Sequence, residues 1–397
     1  MAKSPKSPCR IRDQARCERR LIQERLARGV SSKLVSMTHD LNSILNTESF
    51  QALAQERLSQ MAFDYYRSGA WGEWTLQANI DAWKKIRLLP RSLVDVSQRN
   101  LASELLGMNM SCPLLIAPTA MQCMADAEGE VATARAAAKA GVPMVLSSLS
   151  TRSVEDVVNA SSADVVMQIY ISSDRGFTKA LAQRAQAAGC KALMVTVDTP
   201  VWGVRERDIH NGFRVPDGMS IVNLQRPGQP TGHSGSGIGA ALGWTIDASL
   251  TWKDLDVIRQ AVQIPMMVKG ILRADDAGRA FDQGAAAVVV SNHGGRQLDG
   301  AAPTAEALPA IVRAVADRGP IIVDGGIRRG VDIVRALAMG ASAVQVGRPI
   351  LWGLAAGGEA GVDRVLNILA QEFDLAMALS GCANVKSITA DLICQQA

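Results

Sequence analysis

The chain has 397 residues, 48% of them hydrophobic, enough for a substantial core, and its 42 basic and 38 acidic side chains leave a net charge of only +4. Dominant disorder is excluded, nucleic acid is not the default partner, and no apolar run approaches the ~18 residues of a membrane-spanning helix. Seven cysteines without a CxxC pair argue against a disulfide framework or metal cluster and for a reducing, cytoplasmic setting.

Residues 1–40 form a basic extension, with Lys3, Lys6, Arg10, Arg12, Arg16, Arg19 and Arg20 ahead of Arg25, Arg28 and Lys33. No apolar stretch follows them, so they do not read as a secretory signal. A solvated extension or short surface helix is expected. An organellar transit peptide is the alternative, weakened by Asp13, Glu18 and Glu24.

Residues 41–397 read as one domain. From residue 114 short apolar runs alternate with Ala-rich amphipathic stretches at a period of roughly 25 to 35 residues. The runs start at Leu114, Met144, Val165, Ala192, Pro265, Ala287, Pro320 and Ala343. Between them lie helical patterns such as GEVATARAAAKAG, TKALAQRAQAAG and AEALPAIVRAVADRG, several closed by glycine. Eight strand–helix units with strands apolar on both faces predict a (β/α)8 barrel. The stretch from Val204 to Ser249 is too long for one crossover, and its Gly/Ser-rich HSGSGIGAALG segment predicts a mobile lid.

Such barrels place their chemistry at the C-terminal ends of the strands. The second run closes on Ser147, the third on Gln168 and Tyr170, the fourth on Thr196 and Asp198, and the fifth on Lys269. The last three close on SNHGGRQLDG, DGGIRRG and GRP. An aspartate after a strand is ordinarily a helix cap, but so many converging polar ends are hard to explain as caps. Asp324, the glycines after it, Arg328, Gly347 and Arg348 supply the backbone N–H groups and guanidinium forks that hold a phosphate, whether of a cofactor or of a phosphorylated sugar. His293 emerges at the rim three residues before Arg296, pairing a base near neutral pKa with a carboxylate-binding cation. Asp198 suits the orientation of that imidazole, and Lys269 the stabilisation of a developing anion.

SNHGGRQLDG, DGGIRRG and VGRPILWGLAAGGEAGV, preceded in order by MAFDYYRSGA, IAPTAM, QIY, TVDTP and VKG, resemble the FMN-dependent 2-hydroxy acid oxidase and dehydrogenase family. The likeness runs from about Ser43 to the MALSGC segment. It implies that FMN is the cofactor and that an (S)-2-hydroxy acid, L-lactate or glycolate, becomes a 2-oxo acid, the reduced flavin returning its electrons to dioxygen as hydrogen peroxide. By the same resemblance His293 is the base, taking either the hydroxyl proton or the α-proton, and Asp198 supports it. Tyr65, Arg205 and Arg296 take the substrate carboxylate, and Tyr170 its hydroxyl. Thr119, Ala120, Ser147, Gln168, Thr196, Lys269 and Ser291 contact the flavin. Asp324, Gly326, Arg328, Gly347 and Arg348 hold the ribityl chain and phosphate.

Leu149 stands where plant-type glycolate oxidases carry tryptophan, implying with Ala120 a wider apolar pocket that suits L-lactate, whereas Thr119 is glycolate-oxidase-like. A homotetramer without metal or membrane attachment is the family expectation. A dehydrogenase with another electron acceptor, a phosphosugar isomerase barrel and a non-catalytic flavin-binding barrel are the competing readings.

Overall fold

Each of the eight apolar runs forms a strand in the computed structural model, which describes residues 40–225 and 246–394. The strands are β1 (Leu114–Ile116), β2 (Met144–Leu146), β3 (Val165–Ile169), β4 (Ala192–Thr196), β5 (Met266–Ile271), β6 (Ala287–Val290), β7 (Ile321–Val323) and β8 (Ala343–Val346). All are parallel and each pairs with its sequence neighbours. Val344 of β8 pairs with Leu114 of β1 and closes the barrel. Almost every strand residue is buried, which is why the runs carry no apolar–polar alternation.

Inside the barrel Leu115, Val145, Val166, Met194, Met267, Val289 and Ile322 form one cluster. An antiparallel hairpin just before β1, Ser103–Leu105 with Met108–Met110, adds Leu105, Met108 and Met110 and plugs the N-terminal mouth. Removing that much apolar surface from water, at about 25 cal/mol per Å2, is the main stabilising term.

Helices follow the strands around the outside, and three more precede the barrel: Ser49–Arg57, Gln60–Arg67 and Trp74–Lys85. Helices Glu130–Ala140 and Arg175–Ala188 end on the expected glycines, Gly141 and Gly189, both left-handed. The third pattern departs from expectation. Its helix, Thr304–Val315, closes on Ala316 at φ 50°, while Gly319 lies against Phe281, where a Cβ would come within 2.6 Å of the ring. The chain continues after β8 into Arg348–Leu379, broken at Gly357 and Gly358.

The long segment after β4 contains the short helix Glu206–His210 and a 3-10 turn at Val222–Leu224; the Gly/Ser-rich lid expected there lies outside the described residues. The chain divides into units 1–43 and 44–397. Of the first, only the turn Leu41–Ser43 and the residue before it are described, so the basic extension also lies outside. No helix among the described residues is long and apolar enough to cross a membrane.

Candidate active site

The strand ends open into a concave cavity lined by residues from the strand ends and from the helices before the barrel, the usual form of a small-molecule site. Every expected site residue lines it except two, Asp198 and Ser291.

His293 and Asp198 form the centre. The imidazole Nδ1 lies 2.8 Å from Asp198 Oδ1, and Thr199 Oγ1 donates to that same oxygen at 3.0 Å. Asp198 therefore sits behind the ring, away from the cavity, and fixes its orientation. The other ring nitrogen, Nε2, lies 3.5 Å from the Tyr170 hydroxyl. Burial pulls the His293 pKa below its ordinary value, against the pull of Asp198, and the Lys269 ammonium lowers it further. Burial pushes the Asp198 carboxyl up, but His293 and Lys269 outweigh it and hold it below the usual carboxylate range. A neutral imidazole backed by an ionised carboxylate is a base at neutral pH. Burial, and then Asp198, push the Tyr170 pKa far above its ordinary value, so its hydroxyl stays a donor.

Backbone geometry makes this approach possible. Gly270 bulges β5 against β6, and at φ 109° a Cβ there would fall 2.6 Å from Asp198 Cβ. His293 itself is left-handed at φ 59°, a conformation costing about 1–3 kcal/mol outside glycine, which the SNHGG turn maintains. Asn292 supports that turn: it exchanges two 2.8 Å hydrogen bonds with Asn79 and accepts from Gly295 N–H. Ser291, expected at the cofactor, lies fully buried behind the wall, where its Oγ accepts from Lys269 Nζ at 2.9 Å and from His293 N–H at 3.1 Å.

One wall carries cations. Arg296 spends Nη1 on the carbonyls of Tyr65 and Ser68, at 2.8 and 2.7 Å, and its guanidinium lies 5.1 Å from the Tyr65 ring centroid. Tyr65 in turn stacks on Phe213 with centroids 4.4 Å apart. Arg205 is buried, and its Nε and Nη1 lack any hydrogen-bond partner among the described residues. Burial, then the charge of Arg296, pull its pKa down to about 10, so it remains charged. Unpaired buried donors are costly, about 1–3 kcal/mol each, and a carboxylate ligand would satisfy them.

A further part of the lining fits a flavin nucleotide. Lys269 Nζ lies 3.4 Å from Asp324 Oδ2, leaving Asp324 Oδ1 buried without a partner among the described residues, as suits an acceptor waiting for a ligand hydroxyl. The Asp324-Gly325-Gly326 turn is clamped by Trp83 Nε1, which donates to Gly325 O at 2.8 Å. Gly326, at φ 85°, passes so close to the helix Trp74–Lys85 that a Cβ would lie 2.2 Å from Asn79 O. Arg328 and Arg348 both reach the cavity. Arg348 already gives three donors to the carbonyls of Tyr66, Ser68 and Gly294, tying the pre-barrel helix to the SNHGG turn, so only its remaining N–H groups would be available to a phosphate. Gln168 bridges the floor, accepting from Ser147 Oγ at 3.4 Å and donating to Thr196 Oγ1 at 3.0 Å.

Thr119, Ala120, Leu149 and Trp202 form the remaining wall, with Trp202 edge-on to Tyr170. Sequence reasoning missed Trp202, although TPVWG follows the fourth run directly. It also missed Glu130, whose fully buried carboxylate accepts from Gln122 N–H, Thr151 N–H and Thr151 Oγ1 and so joins the loops after β1 and β2. Gln122 in turn donates to Thr119 Oγ1.

The model of the FMN-dependent dehydrogenase family matches residues 54–395. An L-lactate oxidase from Nostoc sp. is 51% identical over 355 residues, 88% of this chain and 97% of that protein. Glycolate oxidase 1 of Zea mays is 45% identical, over 88% of this chain and 95% of its own length. Among solved structures, mandelate oxidase with 3,3-difluoro-2-hydroxy-3-phenylpropionic acid superposes with a TM-score of 0.81 at 37% identity, covering 89% of this chain and 99% of that one.

Proposed function

The chain belongs to the FMN-dependent dehydrogenase family, and from that premise we propose that it oxidises L-lactate to pyruvate, with glycolate as a poorer substrate and dioxygen as the final acceptor. The reaction class is FMN-dependent oxidation of a 2-hydroxy acid to the 2-oxo acid. The observation that carries the reading is the Asp198–His293 dyad, opening beside the Tyr170 hydroxyl into a cavity also lined by Arg205 and Arg296.

Arg296 and Arg205 bind the substrate carboxylate with Tyr65, and their charges fix which way the α-carbon faces. Tyr170 donates to the substrate hydroxyl oxygen. His293 Nε2 takes a proton from the substrate, and the ionised Asp198 stabilises the imidazolium that results. Ser147, Gln168, Thr196 and Lys269 would hold the flavin ring, and Asp324, Gly326, Arg328, Gly347 and Arg348 its ribityl phosphate. Bound FMN supplies the two-electron acceptor, which no side chain here provides. Leu149 and Ala120 give the α-carbon substituent an apolar surface, which favours a methyl group over hydrogen. The L-lactate oxidase and glycolate oxidase relatives support dioxygen as acceptor, since both are oxidases.

A homotetramer is part of the same reading. Trp71, Trp74, Val201, Ile209 and Leu298, on loops and short or terminal helical turns, are large, apolar and exposed, which suits a surface made for contact. The buried free thiols of Cys112, Cys190 and Cys382 support a reducing, cytoplasmic setting.

The test is spectroscopic. FMN-loaded protein is mixed anaerobically with L-lactate, glycolate or L-mandelate, and air is then admitted. Flavin absorbance should bleach fastest with L-lactate and return in air with formation of hydrogen peroxide. Absence of bleaching with all three overturns the reading.

A further inference from the structure

We propose that Asp208 is a resident counter-charge of the carboxylate subsite, which weakens the grip of Arg205 and Arg296 on carboxylates so that the oxo-acid product can leave. The proposal rests on the substrate placement given above.

Asp208 is the third residue of the short helix Glu206–His210, three positions after Arg205, and is almost fully buried. Its backbone is committed: its N–H donates to Arg205 O at 3.1 Å and its carbonyl accepts from Phe213 N–H at 2.8 Å, which places the ring that stacks on Tyr65. Its carboxylate is not. Oδ2 stands 3.9 Å from Arg205 Nη1, both side chains being only 4% exposed, and Oδ1 has no hydrogen-bond partner among the described residues. That separation is within ion-pair attraction but beyond a hydrogen bond. Two arginine–carboxylate pairs nearer the surface close fully: Arg99 grips Asp374 at 2.7 and 2.6 Å, and Arg184 grips Glu155 at 2.6 Å through two nitrogens. The buried pair therefore leaves the Arg205 donors free for a ligand while keeping a negative charge beside them.

Asp208 does not line the cavity, so a bound carboxylate does not have to displace it. The charges of Arg296 and Arg205 both pull its pKa down, although burial, the largest influence, leaves it above the usual carboxylate range. Two guanidiniums facing an anion without Asp208 would attract it more strongly, because a charge a few ångströms away is poorly screened in a buried site. An enzyme that must release an anionic product gains from a moderated attraction, since binding substrate and product tighter than working concentrations require adds nothing to turnover.

The experiment uses flavin-loaded protein, with pyruvate titrated calorimetrically and initial rates measured with L-lactate. Asp208→Asn keeps shape and removes charge. We expect the pyruvate Kd and the L-lactate KM to fall about three- to tenfold. A merely structural role would weaken both. Asp208→Ser, also uncharged, should shift both constants in the same direction if the Asn variant folds poorly, whereas Asp208→Glu should keep the wild-type Kd. Unchanged or weaker pyruvate binding in the uncharged variants overturns the proposal. Arg205→Met separates this from the underlying reading: if it also leaves pyruvate binding unchanged, the carboxylate does not bind there and the substrate placement itself fails.

Discussion

The two ends of the barrel use the same eight strands for opposite purposes. At the N-terminal end Leu115, Val145, Val166, Met267 and Val289 pack into a sealed apolar cluster under the hairpin. At the C-terminal end buried polar atoms go without partners among the described residues, at Asp198 Oδ2, Arg205 Nε and Asp324 Oδ1, and His293 holds a left-handed backbone. Each such feature costs free energy, of order 1–3 kcal/mol. Stability thus resides at the end that has no chemistry to perform, and it offsets the strain of the end that does. Ligands binding at the rim recover part of that cost.

The comparison is broken most forcefully at the rim. His293→Gln should slow anaerobic flavin reduction by roughly 10^2- to 10^4-fold, measured by stopped flow, while FMN affinity and Tm hold, because the imidazole serves chemistry rather than the core. Unchanged reduction kinetics would remove His293 from the mechanism. At the sealed end the converse applies. Leu115→Ala should cost about 2–5 kcal/mol in urea denaturation, with the L-lactate to glycolate selectivity intact. A change in selectivity there would show that the two ends are not separable.

A third variant sharpens the division within the rim itself. Leu149→Trp fills space next to the proposed methyl pocket and should move the ratio of kcat/KM for L-lactate and glycolate by ~10- to 200-fold toward glycolate. If the ratio holds, selectivity lies elsewhere on the rim. The smallest effect is one of pH. Because burial lowers the His293 pKa below its ordinary value, the neutral base predominates above that pKa, and kcat/KM should fall only as pH drops through it. Asp198 raises that pKa, so in Asp198→Asn the residual activity should persist to lower pH. An acid limb that moves toward higher pH would contradict the assigned charges.

The strands were legible because a parallel strand buried on both faces writes itself as an unbroken apolar run, and the barrel followed from counting eight of them. Most of the rim was legible for a related reason: the chain must leave each strand at the same end, so polar residues closing the runs converge. Ser291 shows the limit, since a residue one or two places from a turn faces the cavity or its back wall according to a pleat that sequence does not display. Asn79, Trp83 and Glu130 were illegible because their roles exist only through contacts with elements remote in the chain, as when Asn79 meets Asn292. Asp208 carries no signal in the sequence, because its buried ion pair with Arg205 exists only once the loop after β4 has folded. The AVADRG ending misled in the other direction, because Gly319 is there for closeness to Phe281 and not to stop a helix.

The pairing of Val344 with Leu114 also imposes an order in time. On the ribosome β1 emerges long before β8, and at about 5–20 residues per second the nascent chain spends roughly ten seconds or more with both sheet edges unpaired. Such edges invite pairing with other chains. The phosphate loops after β7 and β8 are among the last segments made, so no cofactor can stabilise the earlier strands while they wait, and a chain cut short before β8 would lack the closing strand and half of the phosphate site together.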